Sequence, residues 1–128
     1  MKTVLVTLAP GFEEIETVTV VDILRRAGAR VTLAATVLGG GSRGIKVAPD
    51  DVLEAVMDKD FDMICLPGGQ PGTDNLNKDP RIEKILQKMQ SQGKYIAAIC
   101  AAPTVLQKSG ILKNRSLTCH PSIHSFPI

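Results

Sequence analysis

Cys100 is the residue whose type and position point most directly to chemistry. It follows the apolar run Tyr95–Ile99 and precedes Ala101-Ala102-Pro103, in which proline suits the first position of a helix. A strand that turns directly into a helix, with alanine two positions to either side of the cysteine, has the steric pattern of a nucleophile elbow. Because a helix N-terminus carries partial positive charge, we expect a lowered thiol pKa and a reactive thiolate. The alternative is a buried, inert cysteine.

Glu16 is the second candidate, because it lies near the start of a helix predicted at about residues 13–27. Val20, Ile23, Leu24 and Ala27 recur with helical spacing and define a predicted sheet-facing stripe. Glu16 lies on that stripe, where a carboxyl group could hold a proton or pass it to a neighbouring sulfur. Spacing does not single it out, since Glu13 falls on the same side and Glu14 on the opposite one. For Glu13 and Glu14 we favour the simpler role of first-turn acids that stabilise the helix dipole.

Two glycine-rich segments are candidates for binding through the backbone. Pro67-Gly68-Gly69 follows the predicted strand Met63–Leu66, and its N–H groups could face a developing oxyanion. A tight turn that requires glycine is the alternative. Gly39-x-Gly41-x-x-Gly44 has the letters of a dinucleotide fingerprint, but we predict that a short strand broken by proline, Ile45–Pro49, follows it instead of a helix. We therefore assign no nucleotide site.

Cysteine and histidine residues near the end of the sequence form no recognisable metal motif. Cys119, His120 and His124 match no established ligand spacing, so we predict no metal site and treat them as ordinary residues of the terminal segment. His120 could still reach Cys100. Three cysteines without a C-x-x-C pair argue against a disulfide framework and favour a reducing compartment. We expect a cytoplasmic protein.

The elements that must position these residues are those of an α/β protein. Four continuous apolar runs suit parallel strands buried on both faces: Val4–Leu8, Val31–Ala35, Met63–Leu66 and Tyr95–Ile99. Predicted helices alternate with them, at about 13–27, 50–58, 80–92 and 103–109. This order predicts a three-layer α/β sandwich with a mostly parallel sheet. Ligands of such sheets bind beyond the carboxyl ends of the strands, which is where the candidate residues lie.

Composition excludes several classes of partner. The 128 residues suit one domain, and a net charge of +2 gives no electrostatic case for nucleic acid or an acidic membrane surface. Only 3% of residues are aromatic and none is tryptophan, so no platform for stacking bases is expected. No charge-free stretch approaches the about 20 apolar residues that a membrane span needs. We predict no nucleic-acid and no membrane partner.

Four blocks of the sequence together resemble the DJ-1/PfpI superfamily, in particular its DJ-1 branch. The blocks are Ala9-Pro-Gly-Phe-Glu-Glu-Ile-Glu-Thr17, Val21-Asp-Ile-Leu-Arg-Arg-Ala-Gly28, Leu66-Pro-Gly-Gly69 and Ile96-Ala-Ala-Ile-Cys-Ala-Ala-Pro-Thr104. The resemblance covers residues 1 to about 121. It implies a flavodoxin-like fold, a homodimer, and a cofactor-independent glyoxalase or deglycase that acts on 2-oxoaldehydes such as methylglyoxal, or on glycated groups, and protects against carbonyl and oxidative stress. The alternative is a non-catalytic redox sensor or chaperone that works through oxidation of Cys100.

The resemblance also implies roles for individual residues. Cys100 corresponds to the nucleophile, and Glu16 to the carboxylic acid that forms a hydrogen bond with it. The remaining correspondences are Gly69 and Ala101 as backbone donors beside the sulfur, His120 as a nearby histidine, and Arg43, Arg26 and Gly68 as substrate-site or interface positions.

The resemblance fades over Ser122–Ile128, where the family continues with further strands and a closing helix. We therefore expect residues 1–128 to form a single DJ-1/PfpI-like domain that is incomplete at its C-terminus. An unpaired sheet edge and an incomplete helix layer would follow.

Overall fold

The architecture is a parallel sheet with helices on both faces, and the computed structural model describes residues 1–121. The strands are β1 (Thr3–Leu8), β2 (Arg30–Ala35), β3 (Asp51–Val52), β4 (Met63–Leu66) and β5 (Tyr95–Ala98). The helices are α1 (Glu14–Arg26), α2 (Leu53–Val56), α3 (Gly72–Lys78), α4 (Pro80–Ser91) and α5 (Pro103–Lys108). The predicted three-layer α/β sandwich is confirmed.

The sheet order places a ligand-binding crevice between β1 and β4. The order is β3-β2-β1-β4-β5, with every pairing parallel. From β1 the chain runs outward on one side to β2 and β3, and it then crosses back over β1 to β4 and β5 on the other side. The direction of winding therefore reverses between β1 and β4. In open parallel sheets ligands bind at such a reversal, outside the carboxyl ends of the strands.

Two apolar cores hold the sheet between its helices. Val4, Val6 and Leu8 of β1 pack on one face with partly buried residues of α1, including Val21 and Leu24. Alternate sheet residues point to the other face, where the core takes in α2, α3, α4 and α5. Residues on both faces are buried because every strand of a covered parallel sheet faces two helix layers.

The predicted strands agree closely with the structure, and the predicted helices agree in part. Met63–Leu66 has the predicted bounds, and the other three main strands differ by one residue at an end. The predicted helix at 50–58 shrinks to the four residues of α2, because Asp51 and Val52 pair with β2 as a strand. The predicted short strand Ile45–Pro49 was wrong, since these residues form neither helix nor strand. Helix α3 was not predicted.

Strand β5 lies at one edge of the sheet, where the part of the chain that the structure describes supplies it only with β4 as a neighbour. A cleft of about 590 Å³ opens beside it, lined by β5, α5 and residues 111–118, and this lining includes neither Cys100 nor Glu16. On the α1 side of the sheet Tyr95 is 77% exposed and Ile99 41% exposed.

Among the residues described, no helix has the length and apolar character needed to cross a membrane.

Candidate active site

Cys100 occupies a sharp turn between a strand and a helix, as its sequence context predicted. Strand β5 ends at Ala98, Cys100 follows with φ +64°, and α5 begins at Pro103. The N–H of Ala102 donates to the carbonyl oxygen of Ile99 at 3.0 Å and closes the turn. A non-glycine residue in this left-handed region costs about 1–2 kcal/mol. Strain of this kind is concentrated at functional sites, where the surrounding structure enforces it.

Glu16 lies beside Cys100 and is held there by the backbone of a third loop. Its Oε1 accepts a hydrogen bond from the N–H of Gly68 at 2.9 Å. The Cys100 thiol forms a hydrogen bond with the same carboxyl group. Glu16 comes from the first turn of α1, Gly68 from the loop after β4, and Cys100 from the turn after β5. Three chain segments therefore converge at the carboxyl end of the sheet, next to the crevice that the topology defines.

Gly68 permits this convergence because it has no side chain. A Cβ atom placed on Gly68 would lie 2.7 Å from Oε1 of Glu16, 2.8 Å from the carbonyl oxygen of Ile99 and 2.9 Å from Cβ of Cys100. Real Cβ atoms essentially never approach other heavy atoms under 3.0 Å. The carbonyl of Gly68 also accepts a hydrogen bond from the N–H of Glu13 at 2.9 Å, which fixes the start of α1 against this loop. Glycine is thus a steric requirement of the site.

The electrostatics of Cys100 differ from the prediction. Partial burial, followed by the negative charge of Glu16 and the hydrogen bond to it, raises the pKa of the Cys100 thiol above its ordinary value of 9.0. A hydrogen bond from the N–H of Ala101 acts in the opposite direction and is outweighed. The predicted lowering by a helix N-terminus was therefore wrong, because a six-residue helix competes with a carboxylate in direct contact. The thiol and Glu16 are instead arranged as a proton donor and its acceptor.

The two predicted backbone donors have different surroundings. Ala101 is buried, and its backbone N–H acts to lower the pKa of the Cys100 thiol. Its role as an oxyanion donor stays a prediction. Gly69, with φ +90°, packs against the backbone of Phe12 and Glu13, and its carbonyl accepts from Thr73 N–H at 2.9 Å. A donor role for Gly69 toward the sulfur stays a prediction.

His120 reaches Cys100 through its backbone. Its N–H donates to the carbonyl oxygen of Cys100 at 2.8 Å, while the His120 residue as a whole is exposed. Cys119, the preceding residue, is half-buried with a free thiol. His124 lies outside the described residues. Residues 1–121 contain no group of three or more His, Cys, Asp or Glu side chains that could hold a metal ion.

The two arginines suggested by the resemblance are both exposed, and each contacts an acidic residue of α1. Arg26 is in the last turn of α1, exposed, and forms a 2.8 Å ion pair with Asp22. Ten residues of helix separate Arg26 from Glu16, which is about 15 Å at 1.5 Å per residue. Arg43 is exposed, and its backbone N–H donates to Glu14 at 2.9 Å.

Glu14 is the structural residue that the sequence analysis missed. It is only 5% exposed, on the sheet-facing side of α1 together with Thr17, whereas Ile23 of the predicted stripe is 56% exposed. The predicted orientation of Glu14 was therefore wrong. The apolar residues of α1 surround most of the helix, so their spacing does not determine which side is buried.

The Glu14 carboxylate organises the glycine-rich loop that carries the fingerprint letters. It accepts hydrogen bonds from the N–H groups of Arg43 at 2.9 Å and Ile45 at 3.1 Å and from the Ser42 hydroxyl at 3.3 Å. Burial raises the pKa of Glu14, but these hydrogen bonds outweigh it, so its pKa lies below the ordinary value of 4.5. A Cβ on Gly41 would lie 2.4 Å from Cδ of Glu14, so the Glu14 side chain would have to move to admit any side chain there. The loop therefore binds this chain's own carboxylate and is followed by no helix of the kind a dinucleotide site needs.

Comparisons with known proteins agree with this fold. The sequence profile of the DJ-1/PfpI family matches residues 2–125. Protein dj-1beta of Drosophila melanogaster is 44% identical over 127 residues, which cover 95% of this chain and 67% of that protein. The Caenorhabditis elegans protein named glutathione-independent glyoxalase DJR-1.2 is 39% identical over 125 residues, which cover 95% of this chain and 66% of that protein.

A solved structure, Toxoplasma gondii DJ-1, oxidized, has a TM-score of 0.93 and 39% identity to this chain; the match covers 95% of this chain and 68% of that one. The chain thus spans about two thirds of the length of these relatives.

The fold and site define a class of flavodoxin-like proteins with a cysteine at a strand-to-helix elbow and a carboxylate beside it. Within that class, the chain belongs to the DJ-1/PfpI family.

Proposed function

We propose that the protein is a cysteine-dependent glyoxalase that converts 2-oxoaldehydes such as methylglyoxal into 2-hydroxy acids. The observation that carries the proposal is that Glu16 Oε1 and Cys100 Cβ lie 2.7 Å and 2.9 Å from one point beside Gly68, which makes the carboxylate and the half-buried thiol neighbours. A nucleophile next to a base is the arrangement that addition to an aldehyde requires. A relative with 39% identity is named a glutathione-independent glyoxalase, which supports the same reaction class.

In the first step, the Cys100 sulfur attacks the aldehyde carbon and a hemithioacetal forms. Glu16 accepts the thiol proton as the carbon–sulfur bond forms and returns it to the aldehyde oxygen, which becomes the hydroxyl of the adduct. The carboxylate is thereby restored for the second step. This coupling is needed because the thiol keeps its proton next to an anionic carboxylate. Gly68 holds the carboxylate in place through its 2.9 Å hydrogen bond.

In the second step, a proton moves between two carbons of the adduct. Glu16 removes the hydrogen from the former aldehyde carbon, giving an enediol, and a proton returns to the adjacent carbon, which leaves a thioester of the hydroxy acid. Water then cleaves the thioester, releasing lactate from methylglyoxal and restoring the thiol. The sulfur nucleophile and the proton carrier are side chains of this protein, and water is the second nucleophile. The same addition to glycated side chains would give a deglycase activity.

The experiment is to measure methylglyoxal consumption and lactate production for the wild-type chain and its variants. Cys100→Ser should abolish turnover. Glu16→Gln should abolish it as well, because an amide still accepts the Gly68 hydrogen bond but cannot carry the proton. Glu13→Gln is the matched control, since Glu13 caps the same helix through Ile15 N–H at 3.4 Å. Equal losses in both glutamine variants, or undiminished lactate with Glu16→Gln, would contradict the proposed proton transfer.

A second candidate function is sensing of oxidants through Cys100. The thiol is only half-buried, and a related protein has been described in an oxidised form. In this alternative Cys100 takes up two oxygens to form a sulfinate, stabilised by protonated Glu16 and backbone N–H groups, and acts through partners or as a chaperone. No methylglyoxal turnover by folded wild-type protein, together with ready uptake of two oxygens at Cys100, would favour it.

We further propose a homodimer that uses the outer face of α1. Ile15, Val18 and Ile23 are between 51% and 74% exposed there, and Arg26 lies on the same helix. Contiguous exposed apolar residues of this kind are typical of interaction surfaces. Size-exclusion chromatography with light scattering should show a dimer that Ile15→Glu shifts toward the monomer, while the exposed-site control Glu83→Gln leaves it unchanged. A wild-type monomer at all concentrations would contradict this assembly.

A further inference from the structure

The backbone around Cys100 brings a second cysteine close to it. The hydrogen bond from His120 N–H to the Cys100 carbonyl oxygen is 2.8 Å long, and Cys119 immediately precedes His120. Standard peptide dimensions place each cysteine Cα about 2.4 Å from the hydrogen-bonded atom on its side. The two Cα atoms are therefore no more than about 7.6 Å apart.

This upper limit on the Cα–Cα distance is close to the range that a disulfide requires. Disulfides join residues whose Cα atoms are about 4.4–6.8 Å apart. Residues 115–120 form neither helix nor strand, so no ladder or helical hydrogen bonds fix the backbone that carries Cys119. A small backbone shift in this segment brings the pair within bonding range.

Both thiols are accessible, whereas the third cysteine is not. Cys100 and Cys119 are half-buried and free. Cys65 is 5% exposed inside β4, and burial raises its pKa to about 11. Only the thiolate attacks a peroxide or an oxidised sulfur. The pKa of Cys100 is raised as well, but Cys100 is half-buried and has Glu16 beside it as a proton acceptor, whereas Cys65 is buried in the sheet and is a poor competitor.

We propose that Cys119 is the resolving cysteine for oxidised Cys100 and forms a reversible Cys100–Cys119 disulfide. The inference rests on the reactivity of Cys100 that the proposed function also needs, but it does not require turnover of an aldehyde. It assigns to Cys119 a role that neither the enzyme reaction nor the sulfinate alternative includes.

The chemistry takes two steps with a peroxide as the oxidant. The Cys100 thiolate attacks one peroxide oxygen, the O–O bond breaks, and an alcohol or water leaves, giving a sulfenic acid. The Cys119 thiolate then attacks the Cys100 sulfur, the S–O bond breaks, and the hydroxide takes up a proton and leaves as water. Two electrons pass from the two thiols to one peroxide. The disulfide stops further oxidation of Cys100 to the sulfinate, which thiols do not reverse.

The test is intact-mass analysis of the full chain after limited hydrogen peroxide, followed by dithiothreitol. Wild type should lose two hydrogens, and peptide mapping should join Cys100 to Cys119. Cys119→Ser should instead gain two oxygens at Cys100, and dithiothreitol should not reverse the gain. Cys65→Ala is the matched control and should behave like wild type. Before oxidation, Cys119→Ser should have the same circular dichroism spectrum and methylglyoxal turnover as wild type.

Either of two results would overturn the resolving role. One is a wild-type protein that gains two oxygens without losing hydrogens, and the other is a disulfide that persists in Cys119→Ser. Both leave the glyoxalase proposal intact if untreated wild type produces lactate. Conversely, a protein that forms the Cys100–Cys119 disulfide but does not consume methylglyoxal would contradict the glyoxalase proposal and support the resolving role of Cys119.

Discussion

The N–H of Gly68 donates to the carboxylate of Glu16 at 2.9 Å, although the two residues are 52 positions apart in the sequence. This hydrogen bond joins the loop after β4 to the first turn of α1 and holds the carboxylate next to Cys100. The orientation of the candidate catalytic acid thus depends on a residue with no side chain. The N–H of Gly68 donates to the Glu16 carboxylate, and the absence of a Cβ atom on Gly68 leaves room for that carboxylate.

Gly68→Ala should therefore damage the site more than a typical loop substitution. The new Cβ must push Glu16, Ile99 or Cys100 aside, which we expect to lower the free energy of unfolding by about 1–3 kcal/mol. A misplacement of about 1 Å at reacting groups can cost about 100-fold in rate. Methylglyoxal turnover and urea unfolding measure the two effects.

Gly40→Ala is the control for that experiment, because a Cβ there meets nothing closer than 3.7 Å and the residue does not have positive φ. It should change neither quantity appreciably. Wild-type turnover in Gly68→Ala would show that the close approach is not needed.

Removing the backbone strain at Cys100 should stabilise the protein. Glycine adopts φ +64° without the penalty that a Cβ imposes, so Cys100→Gly should be about 1 kcal/mol more stable than Cys100→Ala. Both variants lack the thiol, so the comparison isolates the backbone. Urea denaturation midpoints of the pair measure the difference, and equal midpoints would mean that the turn relaxes around alanine.

Glu14 should make stability depend on pH in the acid range. Its folded pKa is lowered below 4.5, so its contribution is present above that value and is lost as pH falls through the folded pKa. Glu14→Gln should therefore have a lower free energy of unfolding than wild type at neutral pH. As pH falls, its free energy of unfolding should decrease less than that of wild type. Urea unfolding from pH 7 downward measures it, with Glu83→Gln as an exposed control. If the free energy of unfolding of Glu14→Gln depended on pH as it does in wild type, Glu14 would not be the residue that anchors the loop of residues 42–45.

Cys65 should be the slowest of the three cysteines to react with iodoacetamide at neutral pH. Its pKa of about 11 and its 5% exposure leave little accessible thiolate, and labelling should accelerate only as pH approaches that pKa. Cys100 should react faster because it is half-buried and has Glu16 as a proton acceptor. Time-resolved mass spectrometry of folded protein gives the rates, with urea-unfolded protein as the control. Equal rates in the folded state would contradict the elbow interpretation.

The strands and the elbow were predictable because they leave a direct mark on the sequence. Strands covered on both faces need continuous apolar runs, and Met63–Leu66 has one. Tyr95–Ala98 was also located by its apolar run, but its expected burial on both faces was wrong, because it is an edge strand with Tyr95 77% exposed. The strand, cysteine, alanine and proline around Cys100 likewise specify a turn into a helix. What the local pattern could not give is the direction of the Cys100 pKa shift, because that depends first on burial by the folded chain and then on Glu16, 84 positions earlier in the sequence.

Helix α3 and the role of Glu14 left no comparable pattern. Helix α3 is seven residues long, begins with glycine and is largely polar, so neither its propensity nor its periodicity indicates a helix. Glu14 is satisfied mainly by backbone N–H groups of residues 43 and 45. Backbone donors are common to nearly every residue, so their convergence on one carboxylate appears only when the chain is folded.

The position of β1, first in the chain and third in the sheet, has a consequence for folding kinetics. Its pairing of Val4 with Met63 closes a loop of about 60 residues, and the Glu16–Gly68 contact depends on that closure. Contacts of such high sequence separation slow folding, because the chain must lose loop entropy before it gains their energy. Cys100 is made still later than either partner on a ribosome. A nascent or partly folded chain consequently exposes this thiol without Glu16 beside it, and its chemistry begins only when the central strand is paired on both sides.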